Sequence, residues 1–208
     1  MTGEQPDPTT ATDHTAEVTP VNDGSARRAA PGPDSAADSP RLQKTITYLE
    51  MTDPGDLRPA PAAPGLGLRL LDRDSPLVRS VQGQVGEAHG WSAASRTEEE
   101  WDAHQAARPL RQYWLITFEG EPAGVAYLEP QPGGDVEVTA FGLLPPYVGR
   151  GLGGFALTLA LRQAWATEPV GARNVRRVWL HTSTTDHPRA LGNYRARGLR
   201  PYRVEREQ

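Results

Sequence analysis

The sequence contains no cysteine among its 208 residues, which excludes disulfide bonds, thiolate metal ligands and a cysteine nucleophile. Any group transfer by this chain therefore proceeds without a thioester on the protein itself. The sequence also lacks a run of about 20 apolar residues, the length that a membrane span needs. A formal net charge of -4 leaves no basic excess for binding a nucleic-acid backbone. These absences favour a small-molecule partner.

Polar and small residues dominate the first part of the chain. Residues 1–20 lack a basic start followed by an apolar core, so we expect no secretory segment and a cytoplasmic location. Residues 1–40 contain almost no large apolar side chain, and burial there does not offset the entropy of ordering the chain. We predict a disordered N-terminal tail over residues 1–40 and one folded domain over residues 41–208, with no nucleic-acid or membrane partner.

The rest of the chain alternates between strand and helix patterns. Alternating β-branched and aromatic residues predict strands over residues 45–51, 66–71, 113–118, 124–129, 136–144, 178–182 and 199–204. The second of these is either a separate strand or a continuation of the first. Caps, prolines and apolar spacing predict helices from residue 76, over residues 97–107, over residues 155–165 and over residues 188–197. The predicted fold class is α/β (α+β), with a mixed, mostly antiparallel sheet.

A glycine-rich loop, residues 147–154, stands between a strand that ends at Pro145-Pro146 and a strongly apolar helix. Such a loop offers backbone N–H groups and the positive end of the helix dipole to an anion. A dinucleotide site would have its loop after the first strand of a parallel unit, and a triphosphate site would have Lys and Ser or Thr at the helix start. Neither pattern is present, although glycine turns also join strands to helices for structural reasons alone.

The segment 136–204 resembles the GNAT superfamily of acyl-CoA-dependent N-acetyltransferases. The resemblance rests on the strand end at Leu143-Leu144, on the loop with Gly151 and Gly153, and on the closing helix with Tyr194. Two positions depart from the family pattern. Val148 stands where the family usually has Gln or Arg, and His187 stands where it has Asn.

The resemblance implies a GNAT-like mixed sheet with helices on both faces and acetyl-CoA as co-substrate, with no metal. It implies that the strand ending at Leu144 splays from the strand over residues 178–182 and that acetyl passes directly to a primary amine of a small molecule or peptide. The residues implied to hold acetyl-CoA are Leu143, Leu144, Gly149, Arg150, Gly151, Leu152, Gly153, Gly154 and Asn193.

Two residues match catalytic positions of the family. Glu137 matches a general base, and strand alternation would place it on one face with Thr139 and Phe141, toward the acceptor cleft. The other interpretation is a strand glutamate that faces solvent. Tyr194 matches the tyrosine that protonates the departing thiolate, and the other interpretation is a core aromatic residue.

Several further side chains are open to two interpretations. His181 is either a second proton acceptor or a hydrogen-bonded sheet histidine. Glu100 and His104 have helical spacing but no further metal ligands, so we expect a solvated face. Asp186 and His187 precede Pro188, which favours a helix-capping role. The variable lid that the family has over the acceptor would contain Trp91, Trp101 and Arg96, although the tryptophans also suit the anchoring of two helices. Most arginines over residues 173–206 are expected to be surface charge.

Two alternatives to an acetyltransferase remain. The departures at Val148 and His187 suggest a non-catalytic acyl-CoA-binding sensor, and a longer-chain acyl donor is a third hypothesis. The sequence predicts a monomer or a homodimer and does not identify the acceptor amine.

Overall fold

The computed structural model describes residues 44–206, and the predicted tail over residues 1–40 lies outside this range. One seven-stranded sheet of order β2-β3-β4-β5-β6-β1-β7 organises these residues. All neighbouring strands are antiparallel except β5 and β6, which are parallel, so the predicted mixed, mostly antiparallel sheet is confirmed. The strands are β1 (Thr45–Met51), β2 (Leu66–Leu71), β3 (Gln112–Phe118), β4 (Glu121–Gln131), β5 (Asp135–Leu143), β6 (Arg177–Ser183) and β7 (Arg200–Arg206).

Helices cover both faces of the sheet. Those longer than one turn are α1 (Pro76–Glu87), α2 (Glu98–Ala106), α3 (Gly153–Trp165) and α4 (Ala190–Ala196). On one face α1 packs Val78, Val81 and Val85 around the buried Tyr127 of β4. On the other face α3 packs Leu157 and Leu161 against the strands. Because an apolar residue recurs every three or four positions, α1 and α3 each present an apolar stripe to the sheet.

The first two strands lie far apart in the sheet. β1 is inserted between β6 and β7, whereas β2 pairs with β3 at the opposite edge. β2 is therefore a separate strand and not a continuation of β1. The connector between them is fixed to the α3 face, where the Ala60 N–H donates to Thr158 Oγ1 at 3.0 Å.

Some predicted element ends were wrong. The β3–β4 turn consists of Glu119 and Gly120 alone, both with positive φ (53° and 88°), so Pro122 belongs to β4. This left-handed pair suits a two-residue hairpin. Helix α4 begins at Ala190 and not at Pro188, because residues 187–190 form a turn in which the Ala190 N–H donates to the His187 carbonyl at 2.8 Å.

Strands β5 and β6 separate soon after they begin. Their parallel pairing covers only Asp135 to Glu137 on β5, opposite Arg177 to Trp179 on β6. In addition, Thr139 is a β-bulge, because Tyr127 pairs with Ala140 while Leu128 pairs with Val138. The extra residue reverses the side-chain alternation beyond it. The result is an opening in the middle of the sheet, bordered by the last residues of β5.

Candidate active site

Main-chain groups face this opening from the end of β5. The Leu144 N–H donates to the Ala123 carbonyl at 2.8 Å, and the Leu144 carbonyl accepts from the Tyr147 N–H at 2.9 Å. Because main-chain groups alternate in direction along a strand, those of Leu143 and Phe141 point away from β4 and into the opening. Leu143 thus offers main-chain groups to a ligand, while Leu144 uses its own within the fold.

The glycine loop follows directly and leads into α3. Gly149 and Gly151 have positive φ (81° and 77°), and a Cβ atom on either would meet nothing within 4 Å. Among residues 44–206, no hydrogen-bond acceptor is found for the six consecutive N–H groups of residues 149–154. Since the first N–H groups of a helix have no intrahelical partner, this loop has free donors of the kind that an anion can accept.

The other loop residues of the prediction have different surroundings. The Arg150 guanidinium lies over the rings of Phe118 and Tyr147, at 5.0 and 5.6 Å from their centres, and Leu152 is buried. Asn193 Nδ2 donates to the Gly153 carbonyl at 3.0 Å and so connects α4 to the start of α3. The side chains of Arg150 and Leu152 therefore support the loop and do not line the first cavity described below.

Two cavities meet at the opening. The first, of about 780 Å³, is lined by the glycine loop, Leu143 and one side of α4, with Val148 at its edge. The second, of about 730 Å³, lies toward α1 and α2 and is lined by Glu137 and His181. The side chains that line both cavities are those of His89, Trp91, Phe141, Asp186 and Tyr194.

Glu137 is a largely buried carboxylate in the second cavity, with 16% of its side chain exposed. Gln131 Nε2 donates to its Oε2 at 3.0 Å, and His181 Nδ1 lies 3.6 Å from its Oε1. Because of the bulge at Thr139, Phe141 lies on the opposite face and packs against Tyr194, so the predicted shared face of Glu137 and Phe141 was wrong. Glu137 nevertheless faces the cavity and not bulk solvent.

His181 stands beside this carboxylate with 47% of its side chain exposed. The hydrogen bond to Glu137 raises the pKa of His181 above its ordinary value, and this effect outweighs burial, which lowers the pKa. Of the two interpretations of His181, the structure contains features of both, since the side chain is paired with the Glu137 carboxylate and also lines the cavity.

Tyr194 lies where the two cavities join, and it is 7% exposed. No hydrogen-bond partner of its hydroxyl is found in the described part of the chain. Burial, with a smaller contribution from the charge of Asp186, raises the pKa of Tyr194, so the phenol stays protonated at neutral pH. A buried, neutral hydroxyl without an acceptor is able to donate a proton or a hydrogen bond to a ligand.

Asp186 has a role that the sequence did not indicate. It accepts hydrogen bonds from Thr182 Oγ1 at 2.7 Å, from the Ser183 N–H at 2.8 Å and from Trp91 Nε1 at 3.0 Å. It does not cap α4, so the capping prediction was wrong for Asp186, whereas His187 Nδ1 accepts from the Arg189 N–H at 3.2 Å in the turn before α4. Asp186 instead fixes the end of β6 and holds Trp91 across the opening, and no local pattern connects two residues 95 positions apart.

The predicted solvated face of α2 was also wrong in part. Glu100 is exposed and completes the predicted capping box with Thr97. His104, however, lines the second cavity and packs against the Trp101 ring. Burial, followed by the neighbouring charges of Arg96 and Arg108, lowers the pKa of His104 to about 4.

Within residues 44–206 no cluster of three or more His, Asp or Glu side chains is arranged to hold a metal ion, and no helix there is long and apolar enough to cross a membrane.

Solved structures show the same fold. A GCN5-related N-acetyltransferase from Sphaerobacter thermophilus is 20% identical, with a TM-score of 0.59, over 79% of this chain and 50% of its own. A tandem GNAT protein from the clavulanic acid biosynthesis pathway is 17% identical, with a TM-score of 0.50, over 79% of this chain and 53% of its own. The chain thus spans about half the length of these structures. No match is found among curated proteins.

The model of the acetyltransferase (GNAT) family matches residues 79–199, which is more than half of the chain. Fold and match together define an acetyltransferase (GNAT) domain. The chain belongs to the acetyltransferase (GNAT) family, and the resemblance seen in its sequence is confirmed.

Proposed function

We propose that this enzyme transfers an acetyl group directly from acetyl-CoA to a primary amine of a small molecule or peptide. The observation that carries the proposal is the meeting of two cavities at Tyr194. One is lined by the glycine loop, whose N–H groups have no acceptor among residues 44–206, and the other by the Glu137 carboxylate. Members of this family generally use acetyl-CoA as co-substrate. The absence of cysteine agrees with direct transfer.

The first cavity has the donors that acetyl-CoA requires. The amides of residues 149–154 would hold the diphosphate, and the open main-chain groups of Leu143 would pair with the pantetheine arm. Phe141 joins Leu143 in this role, whereas the N–H of Leu144 is already used within the fold. Asn193 would act by holding the loop in place. When bound, acetyl-CoA supplies an acetyl group activated as a thioester.

Two side chains would move the protons. The Glu137 carboxylate accepts a proton from the ammonium form of the acceptor, and Gln131 and His181 hold that carboxylate in place. As the new C–N bond forms and the C–S bond breaks, the Tyr194 hydroxyl donates its proton to the sulfur, and the second proton lost by the nitrogen restores the Tyr194 hydroxyl. Its raised pKa keeps that proton in place until a thiolate develops nearby.

Binding and turnover are tested separately. Calorimetry with acetyl-CoA tests the first cavity, and release of free thiol in the presence of an amine library tests transfer. We expect both signals, and comparison with succinyl-CoA tests the acyl preference. Binding of acetyl-CoA without thiol release from any amine would favour a sensor, and no binding at all would refute both functions.

A further inference from the structure

The second cavity has a cationic wall formed by Arg96, Arg108 and Arg111. The only carboxylate paired with these arginines in the described part of the chain is Glu129. Arg111, only 8% exposed, donates from Nε to Glu129 Oε2 at 2.8 Å and also from Nη2, and Arg108 Nε lies 3.8 Å from the same oxygen. Two of the three guanidinium groups thus share one carboxylate, which leaves an excess of positive charge in the wall.

Arg96 has no carboxylate within ion-pair distance among residues 44–206. Its Nη2 donates to Ser92 Oγ at 3.0 Å, and its guanidinium lies 4.7 Å from the centre of the Trp101 ring. Its Nη1 is buried and has no hydrogen-bond partner. Since a buried charged donor without an acceptor is costly, an acceptor brought by a ligand would satisfy it.

Neighbouring groups do not neutralise this wall. Glu100 acts on Arg96 electrostatically, but its carboxylate is held by the Thr97 N–H at 2.9 Å. Burial, followed by the charge of Arg108, lowers the pKa of Arg96. His104, with a pKa of about 4, is uncharged at neutral pH, and its buried Nδ1 also lacks a partner.

Negatively charged side chains lie in another part of the same cavity. Glu129 and Glu137 are directly opposed on β4 and β5, and Glu137 continues to His181 on β6. Glu129 is matched by Arg111, whereas Glu137 is contacted by Gln131 and His181 and lines the cavity beside them. The cavity therefore contains an ammonium-binding carboxylate in one part and unmatched guanidinium groups in another.

We propose that the acceptor is an amine that also carries an anionic group, a carboxylate or a phosphate, and that Arg96, with Arg108, binds this anion. The proposal rests on the proposed acetyl transfer, because it assigns Glu137 to the amine. A cavity of about 730 Å³ suits a small molecule with a single anionic group more than an extended polyanion.

Matched pairs of amines test the proposal. One set pairs L-amino acids with the amines that their decarboxylation gives, and the other pairs phosphoethanolamine with ethanolamine. Calorimetry measures binding of each amine to the full-length protein, with and without CoA, and thiol release measures kcat/KM. We expect the anionic member of at least one pair to bind at least about tenfold more tightly, and the pair that responds identifies the anion.

Three variants separate anion binding from a structural role of Arg96 at Trp101. Arg96→Gln is expected to abolish the tenfold preference while acetyl-CoA affinity stays unchanged, and Arg96→Lys to restore part of it. Arg162→Gln, on the exposed side of α3, removes the same charge elsewhere and should change nothing. Equal binding of anionic and neutral members in the wild type, or an equal loss of both in Arg96→Gln, would overturn the proposal. Because amine binding is measured directly, a protein that binds anionic amines without turnover would refute the proposed transfer and leave this assignment standing.

Discussion

Replacing Tyr194 by phenylalanine removes one hydroxyl at the junction of the two cavities. No group among residues 44–206 loses a hydrogen bond, and the ring keeps its edge contact with Phe141 at 6.3 Å between centres. We therefore expect the free energy of unfolding to change by about 0.5 kcal/mol or less. Acetyl-CoA affinity should also be nearly unchanged, since the amides of the glycine loop are untouched.

Turnover should fall much more. General acid catalysis typically contributes about 10² to 10⁴ in rate. A thiol has an ordinary pKa of about 8.5, and burial raises the pKa of Tyr194 above the ordinary phenol value, so proton transfer to the thiolate is uphill. The lower end of the range then applies, and kcat should fall about 100-fold, which is about 2.7 kcal/mol of barrier.

The assay is steady-state thiol release together with calorimetry of acetyl-CoA. Tyr113→Phe is the matched control, because Tyr113 also has a buried hydroxyl without a partner but lines neither cavity. The control should keep wild-type kcat. An unchanged kcat in Tyr194→Phe, or an equal loss of kcat and of acetyl-CoA affinity, would refute the acid role.

Three further predictions concern the loop and the histidines. Gly151→Ala places an L residue at φ 77°, which costs about 1–2 kcal/mol, so we expect the loop to shift and acetyl-CoA to bind about 5- to 30-fold more weakly by calorimetry. The control Gly120→Ala, at φ 88° in the β3–β4 turn, should leave acetyl-CoA binding unchanged. Glu137→Gln should lower the pKa of His181 in an NMR titration, because the hydrogen bond to this carboxylate is the main cause of its raised pKa, and an unchanged value would contradict the pairing. The unfolded chain takes up a proton at His104 below pH about 6.5, whereas the folded chain does so only near pH 4. The free energy of unfolding, measured in urea, should therefore decrease as the pH is lowered from about 6.5 to about 4, and the decrease should be smaller in His104→Gln.

Local patterns in the sequence predicted most of the secondary structure. Alternation located the strands, the Thr97–Glu100 capping box located the start of α2, and the late glycine loop identified the start of α3. Each of these depends on neighbours along the chain, whose geometry is fixed by backbone hydrogen bonds and side-chain periodicity. The family resemblance drew on the same local signals.

Features set by long-range packing were not predictable in this way. The insertion of β1 between β6 and β7 depends on pairing over more than 120 residues, and the bulge at Thr139 has no local marker. The contact of Asp186 with Trp91 and the cluster around Glu129 likewise join distant segments. Such sites become visible only once the sheet brings their strands together.

Mass spectrometry of an amine incubated with the full-length protein and acetyl-CoA tests the central claim most directly. With a responsive amine from the matched pairs, we predict an N-acetylated product that forms in step with free CoA and at a rate lowered about 100-fold by Tyr194→Phe. Acetyl-CoA that binds tightly but yields no acetylated amine from any member of the panel would contradict the proposed transfer.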